Sequence, residues 1–128
     1  MSEYPESQPI GIDVETAFLA DQSDPGEERY VFAYTITIRN QGPIAVELKT
    51  RRWVITDAEG KVQLVEGEGV VGEQPRILPG KFHRYSSGAV LETPVGTMEG
   101  SYGMVDSEGT AFDAPIPVFR LAMPGILN

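Results

Sequence analysis

The chain has 128 residues, no cysteine and a formal net charge of −9 from ten basic and nineteen acidic residues. That length suits one domain, able to bury roughly two-thirds of the surface its unfolded form exposes. The lack of cysteine excludes disulfides, thiolate nucleophiles, iron–sulfur clusters and zinc–thiolate sites and fits a cytoplasmic setting, and the acidic balance repels a nucleic-acid backbone.

Residues 1–9 carry neither the basic nor the apolar segment of a signal peptide. They read as a loose tail ahead of a single domain spanning 10–128, and no later apolar run approaches the roughly 20 residues that cross a bilayer, so membrane insertion is not expected. A first strand is predicted over 10–18. After it, "ADQSDPGEE" gathers Asp21, Asp24, Glu27 and Glu28. Its spacing is not that of a calcium-binding EF-hand loop, so it reads as a solvated acidic turn that could hold a divalent cation only weakly. Tight transition-metal binding would need several His or Cys ligands, and the chain has one histidine.

The second strand is the clearest. In "RYVFAYTITIRN" Phe32, Tyr34, Ile36 and Ile38 alternate with Val31, Ala33, Thr35 and Thr37, giving one apolar face and one mixed face. The third, over 46–56, carries Trp53 and Ile55 on one face, and Trp53 is large enough to fill the roughly 10 Å gap between two packed sheets. "DAEG" at 57–60 and "DSEG" at 106–109 place Asp first and Gly last, which suits tight hairpin turns between neighbouring strands.

A fourth strand over 62–65 runs into "EGEGVVGEQP", where Gly67, Gly69 and Gly72 spell a G-x-G-x-x-G string. In dinucleotide-binding folds that string opens a helix whose N-terminus faces the pyrophosphate. Here Pro75 and Pro79-Gly80 interrupt the segment after the glycines, and no helical period exists between 73 and 80. Glu92 falls near the spacing of a ribose-binding acid, which carries little weight without the helix. Gly80-Lys81 is followed by Phe82, so a phosphate loop is not formed either. The remaining reading is a glycine loop whose amides offer a small anion nest and whose valines, Val70 and Val71, offer an apolar contact.

Further strands are predicted over 83–90, 98–105 and 112–121, making about seven. His83 shares a face with Tyr85 and Ser87, whereas Ser86 points away, so no nucleophile and base can be paired and no catalytic residue is predicted. Pro115 and Pro117 lack the amide hydrogens of a central strand, which puts the last strand at an edge or at a change of sheet. Short strands, Asp/Gly turns and no helix predict an all-β sandwich of two antiparallel sheets, of the fibronectin type III or immunoglobulin-like kind, with a closed barrel as the alternative.

The segments "FAYTITIRN", "RRWVITDAEG", "VEGEGVVGEQPRILPG", "YSSG", "TPVGTMEGSYGM" and "FDAPIPVFRLA" together resemble the bacterial ApaG family in order and spacing, from about residue 12 to 121. The resemblance implies a fibronectin type III-like domain, and it implies an association with cobalt resistance and magnesium efflux. Similar domains are appended to eukaryotic F-box proteins and to a polymerase-delta-interacting protein, which suggests binding to proteins. His83 departs from the aromatic residue expected beside Tyr85, which favours a structural histidine. The functional expectation is a non-catalytic module, without cofactor, that binds an as yet unidentified protein partner through Gly67, Gly69, Val70, Val71, Gly72, Gln74 and Arg76. The alternative is a small-anion, pyrophosphate or nucleotide binder using the loop at 67–72, helped by Arg76 and Lys81.

Overall fold

The computed structural model describes residues 9–126; the predicted tail lies outside the described residues apart from Pro9. Eight strands are formed: β1 (Ile10–Phe18), β2 (Tyr30–Asn40), β3 (Val46–Asp57), β4 (Val62–Glu68), β5 (Arg76–Ile77), β6 (Phe82–Leu91), β7 (Val95–Asp106) and β8 (Ala111–Ala122). They build a sandwich of a three-stranded sheet, β1-β2-β6, and a five-stranded sheet, β4-β3-β7-β8, with β5 also on β3. Every named pairing is antiparallel. All seven predicted strands are present. The eighth, β5, is two residues paired with Val46 and Glu47 of β3, too short to leave a periodic signal.

The apolar face of β2 is the inner one: Phe32, Tyr34, Ile36 and Ile38 are all buried. Across the gap Trp53 is 2% exposed and meets Tyr34, Tyr102 and Phe119 edge-on, with ring centroids 5.4, 6.4 and 5.8 Å away. Edge-on contact suits the opposite polarity of ring edge and ring face. The indole Nε1 is buried without a hydrogen-bond partner among the described residues, so packing rather than polar contact holds this side chain in place.

Both predicted hairpin turns form in the same way. Asp57 Oδ1 accepts from the amides of Glu59 and Lys61, each at 2.9 Å, and Asp106 Oδ1 accepts from those of Glu108 and Thr110 at 2.9 and 3.0 Å. Gly60 and Gly109, with φ of 84° and 86°, supply the left-handed residue that closes each turn. The proline-bearing β8 ends the larger sheet, as the two missing amide hydrogens require.

Strand order decides where the sandwich is open. β1 and β8 lie against each other along one side, so the opposite side is bounded by β6 of the smaller sheet and β4 of the larger. The segment between β4 and β6 folds over that side, inserting Val70 and Ile77 into the core.

Candidate functional site

The glycine loop leaves β4 at Gly69 and returns through a tight hairpin. The Val70 amide donates to Glu73 O at 2.8 Å and the Glu73 amide to Val70 O at 3.0 Å. Two residues lie between these partners, Val71 with φ 47° and Gly72 with φ 78°, which is the pattern of a type I′ turn. Such turns favour Asn, Asp or Gly at both central positions, whereas a β-branched residue in the left-handed region is strained by roughly 1–2 kcal/mol. Val71 is also 63% exposed. Val70, expected to be exposed beside it, is instead buried at 1%: the hairpin sends consecutive side chains to opposite sides, one to the core and one to solvent.

Each glycine of the string has its own structural reason. A Cβ on Gly67 would lie 2.9–3.0 Å from the Arg51 guanidinium, which rests over the glycine's backbone. Gly69 combines φ 66° with a Cβ position inside the contact distance of Glu73 O, and Gly72 supplies the second left-handed turn residue. The amides of Gly69, Val70 and Glu73 are all donated within the protein. An anion nest needs successive amides free to donate, and three of the loop's amides are already taken.

Strand β3 holds the loop in position. Its register with β7 shifts between Leu48 and Thr50, a bulge that turns Lys49 O outward to accept from Gly69 N and from Gln74 Nε2, both at 2.9 Å. Gln74 is therefore a strut. Two residues on, Arg51 donates Nη1 to Glu68 O and to Gly69 O, both at 3.0 Å. Arg76 sits in β5 opposite Glu47 and does not line the cleft beside the loop. Arg51 takes the place expected of it, and the signal lay in the alternation: Arg51 shares the inward face of Trp53 and Ile55.

Loop and sheet enclose a cleft of about 370 Å³ lined by Tyr34, Arg51, Glu68, Tyr85, Ser86 and Ser87 together with Val70, Val71 and Gly72. Arg51 is half-buried here. Among the described residues its Nε and Nη2 have no hydrogen-bond partner and no carboxylate lies within 4.0 Å of it, although five other cations are ion-paired. A more open depression of about 480 Å³, to which Arg51 also contributes, lies across β3 and β7; there Arg52 and Glu66 already neutralise each other at 3.2 Å.

Behind the cleft, the Tyr85 and Tyr102 hydroxyls hydrogen-bond to each other between the two sheets. Burial pushes both phenols well above their ordinary value; it also raises Tyr34, with Ser87 and Arg51 pulling the other way. Raised phenols keep their protons when those of the unfolded chain, near 10, have gone. Above about pH 10 the folded state then binds more protons than the unfolded, and stability falls by roughly 1.4 kcal/mol per pH unit for each such tyrosine. Urea midpoints are expected to be level in this respect below pH 10 and to drop steeply above it; midpoints unchanged from pH 9 to 11 would contradict the assignment.

His83 is half-buried with its ring stacked on Tyr85, centroids 6.3 Å apart. Ser86 Oγ bonds Thr35 Oγ1 at 2.7 Å on the other face, so the two residues diverge as expected. The acidic stretch folds into two 3-10 turns, Ala20–Gln22 and Pro25–Glu27. Among the described residues no three His, Asp or Glu side chains gather closely enough to hold a metal, and no helix is long and apolar enough to cross a membrane.

Comparison with known proteins gives a consistent picture. Residues 20–106 match the model of the ApaG domain. Over 119 residues the chain is 62% identical to Protein ApaG of Thiobacillus denitrificans, covering 93% of this chain and 94% of that one, and 56% identical to Protein ApaG of Pseudomonas aeruginosa with the same coverage. The crystal structure of an ApaA protein from Bordetella pertussis superimposes with a TM-score of 0.89 at 45% identity, covering 92% of this chain and 96% of that one.

Proposed function

The chain belongs to the ApaG domain family, and on that premise we propose that it is a non-catalytic module that binds another protein at the glycine loop and its cleft. The observation that carries this reading is Val71, an apolar β-branched residue held at φ 47° and 63% exposed. Asn or Gly would serve the turn better, and a buried position would serve the valine better. Exposure alone is shared with Leu64 and Val118; it is the left-handed strain of a β-branched residue at the tip of the turn that a contact outside the chain would account for.

Two results are expected at this position. Val71→Gly raises stability by about 1 kcal/mol through relief of the left-handed strain, read as a higher urea midpoint. A photo-crosslinking amino acid at position 71, introduced in living cells, gives a discrete cross-linked protein that the same probe at Glu59, on the far hairpin, does not. Identical patterns at 71 and 59 would count against the loop as a contact surface. If the loop is the contact surface, the association with cobalt resistance and magnesium efflux that the resemblance implies would run through the partner.

Arg51 favours a second reading, in which a small anion such as pyrophosphate or a nucleotide phosphate occupies the same cleft. The support is a guanidinium with donors to spare; Glu68 on the cleft wall opposes it. Saturable shifts of the Val71 and Gly72 amides with pyrophosphate, lost in Arg51→Gln, are its expected signature, and silence in the intact protein removes it.

A further inference from the structure

Five strands lie at a sheet edge in this fold, the two-residue β5 among them, and they are not equally protected against pairing with another chain. β8 carries Pro115 and Pro117 and a register shift against β7, and it packs against β1. β4 is seven residues long, bears Glu66 and Glu68 and ends in the loop. β6 is ten residues, FHRYSSGAVL, paired with β2 in unbroken register and without proline, acid or bulge. Along its free side, alternate residues turn their amides and carbonyls away from β2.

We propose that the free edge of β6 takes up an extended acidic segment of a partner protein as a fourth strand of the smaller sheet, one of whose carboxylates enters the cleft to meet Arg51. The proposal rests on the protein-binding reading above and names the kind of partner. Tyr85, Ser86 and Ser87 of β6 line the cleft that holds Arg51 and Val71, so a strand laid along this edge directs alternate side chains toward both. Small apolar residues in that row suit Val71, and a carboxylate suits the Nε and Nη2 donors that none of the described residues takes up. A carboxylate can accept from both in the forked geometry that gives Arg its strongest contacts.

Charge selects the occupant. The chain has nineteen acidic residues, but none of the described ones lies within ion-pair distance of Arg51, and β6 bears no carboxylate, its Arg84 being paired with Glu15 at 3.3 Å. The net charge of −9 slows the approach of an acidic segment at long range, but at physiological salt the field is screened beyond roughly 8 Å, and the local balance of Arg51 against Glu68 on the cleft wall then decides. A second copy pairing β6 with β6 fits poorly, because β6 has no carboxylate to offer Arg51.

The test selects random ten-residue peptides against the intact protein by display, in parallel with Arg51→Gln. Enriched peptides are expected to share one Asp or Glu among β-branched residues and to shift amides from Phe82 to Leu91. Changing that acid to its amide should weaken binding to the unaltered protein roughly tenfold or more, and backbone N-methylation should disrupt binding at every second position. Arg51 also anchors the loop, so the peptide-side change is decisive, since it leaves the protein's fold untouched. Enrichment without an acid, equal binding of acid and amide peptides, shifts along β1 or β4 instead, self-association through β6, or no enrichment beyond the Arg51→Gln pool would each overturn the proposal. Cross-links at position 71 that survive such a failure leave the interaction reading standing and remove only this assignment.

Discussion

Alanine in place of Gly100 is expected to destabilise the domain more than alanine at Gly67, Gly88, Gly96 or Gly103, which also lie in strands. Gly100 stands opposite Trp53 in the pairing of β3 with β7, immediately after the register shift between β7 and β8. A Cβ there would fall well inside contact distance of Arg52 O, and lie 2.9 Å from Arg52 C and 3.1 Å from Trp53 Cα. All three are backbone atoms, so no side chain can rotate aside. Relief requires the two central strands of the larger sheet to separate beside the Trp53 ring cluster. Overpacking in a core costs about 1–3 kcal/mol and occasionally more, and this site belongs at or above the upper end. Against a total stability on the order of 5–15 kcal/mol, that loss is visible as a large fall in the urea midpoint. Gly88→Ala is the control, since its Cβ would meet Phe32 O at 3.4 Å, within ordinary contact. Equal midpoint shifts for the two variants would show that the β3–β7 approach is not the constraint.

Gly100 also marks the boundary between what the sequence makes legible and what it does not. The strands of β2 and β3 announce themselves because burial on one sheet face imposes a period of two on the side chains, and the two Asp-to-Gly turns because a carboxylate and a left-handed residue are needed in fixed order. The edge position of β8 follows from two missing amide hydrogens. The bulge at Lys49 leaves no comparable trace, since an extra residue in a strand changes parity without changing composition. That bulge presents the carbonyl which positions Gly69 and Gln74, so the loop's true support could not be read along the chain. The same gap hides which cation lies beside the loop. Arg76 is nearer to the glycines in sequence than Arg51, but Arg51 is brought to them by the pairing of β3 with β4, in which it faces Gly67. Val70 and Val71 are adjacent identical residues, and only the hairpin between them and Glu73 sends one inward and one outward.

The second large effect is expected at Gly69. Alanine there must hold φ near 66° and place its Cβ against Glu73 O, with Glu73 C at 3.0 Å and the Gln74 side chain at 3.3 Å. Glu73 O is the acceptor of the Val70 amide, so the obstruction falls on the bond that closes the hairpin. If the hairpin opens, Val70 leaves the core. The left-handed alanine contributes about 1–2 kcal/mol and the lost burial of a valine about 1.5–3 kcal/mol. Gly72→Ala is the matched comparison: it has a similar φ of 78° but nothing within 4 Å of the added Cβ, so the strain alone remains. Gly69→Ala should therefore lower the urea midpoint at least twice as far as Gly72→Ala. It should also abolish cross-linking from position 71, because Val71 is presented only while Val70 anchors the turn. Equal losses in the two variants would mean that the loop is held by turn geometry alone. The exposed valine would then owe nothing to the core beneath it, and the loop's fixed shape could no longer support its reading as a contact surface.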